Sequence, residues 1–347
     1  MNRTYLDWNA TAPLRPEARA AMLAAMDLVG NPSSVHAEGR AVKSLVEKSR
    51  EDIAEAFGAM AADIVFTSGA TEAAALALRT RDLQSAMVEH DSVLAWTDGV
   101  LSTDAHGQVT VENPADSTLQ LANSETGVLQ SLPKGLFLSD CVQAFGKIPV
   151  AFNWLGVEMA MLSAHKIGGP KGIGALAVRR GLDLNAQIRG GGQESGRRSG
   201  TENVIGIAGF AAAARAAMRD LNDGLWQQVA ERRRMLEDRI RIDAPLAHII
   251  GTGTDRLPNT SAIMVPGWKG ETQVMQMDLA GFAISAGSAC SSGKVKSSQV
   301  LKAMGLDDIA AASVIRVSIG PDTTKDQLMR FADSWLQHYQ RYTQRAA

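Results

Sequence analysis

The chain has 347 residues, with 35 Lys and Arg against 37 Asp and Glu and a formal net charge of -2. This length favours about two domains, and the balanced charge excludes a strongly basic nucleic-acid or membrane-surface binder. Two cysteines, Cys141 and Cys290, are too few for a disulfide framework or a metal cluster of the usual spacing. The N-terminus lacks the apolar core of a signal peptide, and no stretch is suited to crossing a bilayer, so we expect a cytoplasmic protein without a metal site.

The first third of the chain predicts two helices followed by a strand and a glycine turn. Apolar periodicity favours helices over residues 16–28 and 37–57, and residues 63–67 favour a short strand. The strand leads directly into Ser68-Gly69-Ala70-Thr71, which opens another helix. A strand, a glycine turn and a helix start together present backbone N–H groups to an anion. The segment therefore predicts a phosphate cradle, although it lacks the Gly-Lys-Ser/Thr end of a Walker loop.

Several short apolar runs in the middle of the chain predict strands that are covered on both faces, because most of them lack alternation of polar and apolar residues. They occupy residues 85–88, 118–122, 136–138, 159–162 and 173–178. Polar residues follow the ends of most runs, and ligands of open α/β sheets bind beyond the carboxyl ends of the strands. Residues 123–136 leave no room for the usual crossover helix, so we expect a shortened loop there.

The segment from Ser163 to Gly174 combines a hydroxyl, an imidazole and an amine with a glycine-rich turn. It follows an apolar run over 157–162 that predicts a buried strand. A lysine in dry surroundings at a strand end has its ammonium form disfavoured. Lys166 is therefore a candidate Schiff-base former. An ordinary lysine in a surface loop is the alternative that this segment alone leaves open.

The last part of the chain predicts a second, smaller α+β unit. Residues 190–203 form a long irregular segment of the kind that is usually functional or disordered. A helical region over 204–242, broken at 222–224, then leads to predicted strands at 248–250, 261–265 and 314–318, and to predicted helices at 271–279, 298–304 and 324–342. Cys290 lies among small polar residues with two lysines nearby, which predicts a reactive thiol. Cys141 is predicted to fill the core.

In this order, the segments resemble the cysteine desulfurases within the class V aminotransferase group of pyridoxal-phosphate enzymes. The resemblance is carried by residues 5–11, 31–36, 67–72, 89–90, 123–128, 140–143, 163–174, 190–203, 287–290 and 316–320. The Gly-Ser-Ala-Cys sequence ending at Cys290 is similar to the branch with a long cysteine loop. The resemblance implies an α/β pyridoxal-phosphate transferase fold, similar to aspartate aminotransferase. A large domain with a mostly parallel sheet would span 15–240, and a small α+β domain would comprise 1–14 and 241–347.

The resemblance also implies a set of functional residues. Lys166 would bind pyridoxal 5'-phosphate and move protons, Cys290 would take the sulfur, and His90 would stack on the cofactor ring and assist proton transfer. Asp140 would pair with the ring nitrogen, and Gln143 would bond the phenolic oxygen. The other implied cofactor contacts are Gly69, Ala70, Thr71, Asn123, Ser163, His165 and Thr201, the last of them across a homodimer. The implied substrate contacts are Asn9, Asn31, Asn123 and Arg316, with Arg316 clamping the carboxylate.

The implied reaction removes sulfur from L-cysteine, releases L-alanine and leaves a persulfide on Cys290 for a sulfur-acceptor protein. An iron–sulfur scaffold or a tRNA-modifying protein could be that acceptor, with no direct nucleic-acid or membrane contact. Two other functions stay open: another enzyme of the group, such as a selenocysteine lyase or an aminotransferase, and a non-enzymatic regulatory relative. Shortened segments at 72–90 and 128–136 depart from the family pattern.

Overall fold

Twelve strands and eleven α-helices are assigned in the computed structural model, which describes residues 3–287 and 297–346. The strands are β1 (Thr4–Tyr5), β2 (Ala62–Thr67), β3 (Gln84–Ala86), β4 (Asp98–Leu101), β5 (Leu136–Asp140), β6 (Val157–Ser163), β7 (Gly174–Arg179), β8 (His248–Ile249), β9 (Thr260–Met264), β10 (Phe282–Ala283), β11 (Ser285–Ala286) and β12 (Val314–Ser318). The helices are α1 (Pro16–Met26), α2 (Ala37–Ala56), α3 (Ala70–Leu78), α4 (Asp91–Leu94), α5 (Phe152–Leu155), α6 (Val204–Asn222), α7 (Leu225–Asp243), α8 (Gly270–Leu279), α9 (Gln299–Ala303), α10 (Asp308–Ala311) and α11 (Lys325–Ala346).

A mostly parallel sheet forms the centre of the larger unit. Its four paired strands lie in the order β2-β7-β6-β5, and β7 is antiparallel to both of its neighbours. Residues 118–122 continue the sheet beside β5 through a parallel bridge between Thr118 and Leu138, and β3 and β4 follow in parallel. Every strand of this layer except β7 therefore runs in one direction. The expected mostly parallel sheet is confirmed.

Alternate residues of the central strands pack into two different cores. On β6, Ala160 and Leu162 face a core shared with α2 and α6, whereas Met159 and Met161 face a second core shared with α3. Both faces of β6 are thus buried, as the absence of polar alternation predicts. Residues 123–135 contain no helix, which confirms the shortened loop between the neighbouring strands.

The smaller unit is built on an antiparallel sheet in the order β11-β12-β9-β8, and β1 pairs in parallel with β10 beside it. Its core includes α11 and the buried side chains of α7, such as Trp226 and Ile240. The helix before it, α6, packs into the larger unit instead. We propose that the second unit begins with α7, after the break that follows Asn222, rather than at residue 241. None of the described helices is both long enough and apolar enough to cross a membrane.

Candidate active site

The connection between β6 and β7, residues 164–173, places Lys166 at the carboxyl edge of the central sheet. β6 ends at Ser163, one 3₁₀ turn follows over Ala164–Lys166, and Ser163 pairs with Gly174 as the chain returns. The half-buried Lys166 donates from Nζ to the backbone oxygens of Asn9, at 2.6 Å, and Ala10, at 2.9 Å. The amine is therefore aimed by a segment from the far N-terminal end of the chain.

A cavity of about 700 Å³ opens beside Lys166. It collects residues from the ends of β2, β5 and β6, because the carboxyl ends of parallel strands meet at one edge. The sequence-predicted residues that line it are Asn9, Gly69, Ala70, Thr71, His90, Asp140, Gln143, Ser163, His165 and Lys166. Residues separated by more than a hundred positions thus form one concave site.

Asp140 supplies a buried carboxyl group at the end of β5. Burial raises its pKa above the usual value, although the Val142 amide, His90 and Lys166 act in the opposite direction. The Val142 N–H donates to Oδ1 at 2.8 Å and holds one edge of the group. A carboxyl held in this way is suited to pairing with a protonated ring nitrogen.

His90 presents its imidazole to the same cavity from the turn before α4. Its Nδ1 accepts from the Ser92 amide at 3.1 Å, so the proton of the neutral ring is on Nε2. The Ser92 hydroxyl is also within bonding distance of Nδ1, at 2.8 Å. These contacts fix the tautomer and the plane of the ring.

The start of α3 has the chemistry of an anion cradle. Gly69 precedes the helix without a side-chain cap, and the first-turn N–H groups of a helix have no intrahelical acceptor. A Cβ built on Gly69 meets nothing within 4 Å, so this backbone borders open space. Glu72 accepts from the Ser68 amide at 2.8 Å and from Arg198 at 2.8 Å, which holds the loop beside the cradle.

His165 lies near this cradle as a neutral imidazole. Burial, with help from Lys166, Lys171 and Lys147, lowers its pKa to about 4. Its Nδ1 is 3.2 Å from the hydroxyl oxygen of Thr11. The donor set of cradle, hydroxyls, imidazole, carboxyl and amine therefore fits the phosphate, ring and aldehyde of pyridoxal phosphate.

Comparison with known proteins agrees with this interpretation of the cavity. The family model for class-V aminotransferases matches residues 4–103 and 97–331. A cysteine desulfurase of Cereibacter sphaeroides is 38% identical over 96% of this chain and 95% of its own length. The chain belongs to the cysteine desulfurase family. A cysteine desulfurase IscS of Dictyoglomus turgidum is 34% identical over 93% of this chain and 91% of its own length.

Solved structures are similar to this chain in fold and in part of the sequence. A NifS-like protein from Rickettsia africae superposes with a TM-score of 0.89 at 31% identity, covering 98% of this chain and 100% of that one. A structure titled SspA in complex with cysteine has a TM-score of 0.76 at 26% identity, covering 92% of this chain and 100% of that one.

Two residues predicted to contact ligand already make hydrogen bonds to other parts of the protein. The buried Asn123 accepts on Oδ1 from the amides of Glu125 and Thr126, and donates from Nδ2 to the Val88 oxygen. Arg316 is buried behind the cavity wall, where it donates to the Ser124 oxygen at 3.0 Å and to Asp7 at 2.7 Å. Their predicted roles in ligand binding stay predictions.

Other predicted residues lie away from the cavity lining. Asn31 is exposed, and its Oδ1 accepts from the Ser33 amide at 2.9 Å. Thr201 is exposed on the loop before α6 and lines an adjacent cavity of about 250 Å³, together with Ser68 and Gly172. Cys290 lies outside the described residues. Cys141 is fully buried, and burial raises its pKa to about 12, which confirms it as a core residue.

Sequence reasoning missed a buried polar group behind Lys166. Lys147 is 1% exposed and bonds to both Gln143 and Asn9, and Asn259 donates to Asn9 from the second unit. The signal available was a lysine four residues after Gln143 in an otherwise apolar stretch. Asn259 carried no comparable signal, because its partner is 250 residues away.

Proposed function

We propose that this chain binds pyridoxal phosphate at Lys166 and acts as a cysteine desulfurase. The observation that carries the proposal is the single cavity that joins the Lys166 amine, the Asp140 carboxyl and the uncapped start of α3. These groups match the aldehyde, the ring nitrogen and the phosphate of the cofactor. Membership in the cysteine desulfurase family supports L-cysteine as the substrate.

The residues around the cavity have separable tasks. Lys166 and Asp140 would hold the two ends of the ring system, Gln143 would bond its phenolic oxygen, and His90 would stack on the ring. Gly69, Ala70 and Thr71 would hold the phosphate, with Ser163 and His165 as further donors. Bound pyridoxal phosphate supplies an electron sink for the charge that develops when the α-proton of the amino acid leaves.

Lys166 would receive that α-proton, since it is a basic residue in the lining of the cavity. The Cys290 thiolate then attacks the sulfur of the substrate. The new S–S bond forms as the Cβ–S bond of the substrate breaks, and the electron pair stays on the carbon, which takes up a proton and yields alanine. The persulfide on Cys290 passes its sulfur to an acceptor, for which a protein that builds iron–sulfur clusters is our candidate.

We further propose that the enzyme is a homodimer in which Thr201 completes the phosphate site of the other subunit. Its support is the exposure of Thr201, which leaves its hydroxyl accessible to a second copy of the chain. Asn9, Asn31, Asn123 and Arg316 remain our candidates for the substrate side. A reducing cytoplasm suits a free thiol at Cys290.

The test combines a spectrum with a product balance. The purified protein should show the visible absorbance of bound pyridoxal phosphate and, with L-cysteine and reductant, should yield alanine and sulfide in equal amounts. Lys166→Ala should lose both the absorbance and the products, whereas Lys134→Ala, at an exposed lysine, should lose neither. Cys290→Ala should keep the absorbance and lose the sulfide. Undiminished sulfide from Cys290→Ala would overturn the persulfide route.

A further inference from the structure

A second lysine, Lys147, lies buried directly behind the wall of the cavity. Its Nζ donates to Oε1 of Gln143 at 2.5 Å and to Oδ1 of Asn9 at 3.2 Å. The residue is 1% exposed and does not line the cavity. Burying a lysine costs free energy of folding unless its nitrogen is hydrogen-bonded, so we expect a buried lysine to have a function.

The turn after β5 brings this lysine under Gln143. Gly146 has a φ of +72°, and a Cβ on it would come within 2.9 Å of the side chains of Ile167 and Ala217. Glycine is therefore required for the chain to fold back at this point. The turn places the Lys147 amine four residues after Gln143 and directly against its amide.

The chemistry of an amine determines which way the neighbouring amide points. Lys147 donates from Nζ to Gln143, so the atom of Gln143 that faces Lys147 is the oxygen. The Nε2 end then donates one hydrogen to the Asn9 oxygen at 3.0 Å, and its second hydrogen remains for the cavity that Gln143 lines. A reversed amide would present an acceptor to the cofactor instead of a donor.

Asn9 is fixed by the same amine. Its Oδ1 accepts from Lys147 and from Asn259, and its Nδ2 donates to Thr260 at 2.8 Å. Its backbone oxygen then accepts from both Lys166 and Gln143. Through these hydrogen bonds, Lys147 helps to orient Lys166 and Gln143, the two residues that would contact the aldehyde and the phenolic oxygen of the cofactor.

We propose that Lys147 is a positioning residue that sets the amide of Gln143 with its donor end toward the cofactor. The proposal rests on the cofactor site of the proposed function. Burial, followed by the positive charges of Lys166 and Arg316, lowers the pKa of Lys147, in keeping with its place among these cations. A neutral amine still donates two hydrogens, which is the number of bonds seen here.

The test measures the affinity of cofactor-stripped protein for pyridoxal phosphate by its visible absorbance. Lys147→Met keeps the length of the side chain and removes its donors, so the Gln143 amide is free to turn over. We expect the dissociation constant to rise roughly 10-fold or more, in line with the loss of a buried hydrogen bond that leaves its partner unsatisfied. In a Gln143→Leu background, the same Lys147→Met change should have less than about a twofold effect, because the amide it orients is gone.

Two controls separate positioning from loss of stability. The Phe145 ring lies in the same turn and packs edge-on against Phe57. Phe145→Leu weakens this packing but leaves Lys147 and Gln143 unchanged. It should lower the unfolding temperature without changing the affinity for pyridoxal phosphate. Additive effects of Lys147→Met and Gln143→Leu, or an equal loss of affinity in Phe145→Leu, would overturn the inference. If the wild-type protein fails to bind pyridoxal phosphate, the proposed function itself is wrong.

Discussion

Arg316 and Asp7 form an ion pair across the small unit, with 2.7 Å between Nη2 and Oδ1. The Arg316 side chain is 2% exposed, and within the described part of the chain its Nε has no hydrogen-bond partner. Asp7 also accepts from the Ser285 hydroxyl at 2.8 Å. The guanidinium that is our candidate for holding the substrate carboxylate is therefore already held by a carboxylate of the protein, with one N–H still to be satisfied.

Removing the Asp7 carboxylate should lower the free energy of unfolding. Asp7→Ala leaves the Arg316 guanidinium without its counter-charge, and breaking a buried pair from one side costs about 3–5 kcal/mol of unfolding free energy. The measurement is urea unfolding of the two single variants and of the double variant Asp7→Ala, Arg316→Met. The double variant should lose less than the sum of the single losses. A strictly additive result would show that the two side chains are not coupled.

Glu89 should make the protein less stable as the pH rises. Its carboxyl is 3% exposed, and burial followed by the charge of Asp140 raises its pKa to about 8. The folded state therefore holds a proton that the unfolded state releases near pH 4.5, so stability falls between that pH and about 8. Glu89→Gln removes this penalty while still accepting from the Gln120 amide, and at pH 9 it should be more stable than wild type by a few kcal/mol, at about 1.4 kcal/mol per pKa unit.

The check on Glu89 is a pair of unfolding measurements at pH 6 and pH 9. The difference between Glu89→Gln and wild type should grow with pH, whereas Glu231→Gln, at an exposed position, should track wild type at both values. An equal difference in unfolding free energy between Glu89→Gln and wild type at both pH values would contradict the raised pKa.

Cys141 should be inert as long as the protein is folded. Its thiol is fully buried beside Asp140, and burial raises its pKa to about 12, so almost no thiolate is present at neutral pH. In the Cys290→Ala variant, Cys141 is the remaining cysteine of the chain. A thiol reagent should then label nothing in native buffer and one group per chain in denaturant. Rapid native labelling would show that the core around β5 opens.

Glu194 should anchor the loop that carries Thr201. Its side chain is 3% exposed, pairs with Arg50 at 2.7 Å and accepts from the Phe66 amide, while its own backbone has a φ of +50°. Glu194→Gln breaks a largely buried pair, and we expect a loss of about 3 kcal/mol in unfolding free energy.

Glu47 offers a matched control for this pair, because it contacts the same Arg50 from an exposed position, with its side chain 51% exposed. Glu47→Gln should cost less than about 1 kcal/mol. Trypsin should also cleave after Arg197 or Arg198 faster in Glu194→Gln than in Glu47→Gln. Equal cleavage and equal stability of the two variants would argue against Glu194 as the anchor.

Much of the site follows from local sequence, because strand ends are local features. The apolar runs before Ser68, Asp140 and Ser163 each predict a strand, and parallel strands bring their carboxyl ends to a common edge. Those three positions indeed border one cavity. The break between α6 and α7 is also a local signal, since a helix cannot continue easily through Asn222-Asp223-Gly224.

The remaining features depend on contacts that no local pattern encodes. Lysine is usually a surface residue. Lys147 is buried because of the turn at Gly146, against which Ile167 packs. Asp7 and Arg316 are separated by 309 positions, so their pairing follows only from the register of β12 and β11 with the N-terminal segment. The sequence predicts a long irregular segment at 190–203, functional or disordered, but no local pattern predicts its attachment through Glu194.

The position of Asn9 has a consequence for the order in which the enzyme becomes competent. The segment that carries it is held by strands made late in synthesis: Thr4 pairs with Phe282, and the amides of Trp8 and Asn9 donate to Ser318. A nascent chain that has completed the sheet around Lys166 already contains Asn9 and Ala10, but it lacks the strands that hold their carbonyl groups against the Lys166 amine. For the proposed pyridoxal-phosphate site, we therefore expect cofactor binding only after β12 has been translated, and a ribosome-bound large unit would be folded without bound cofactor.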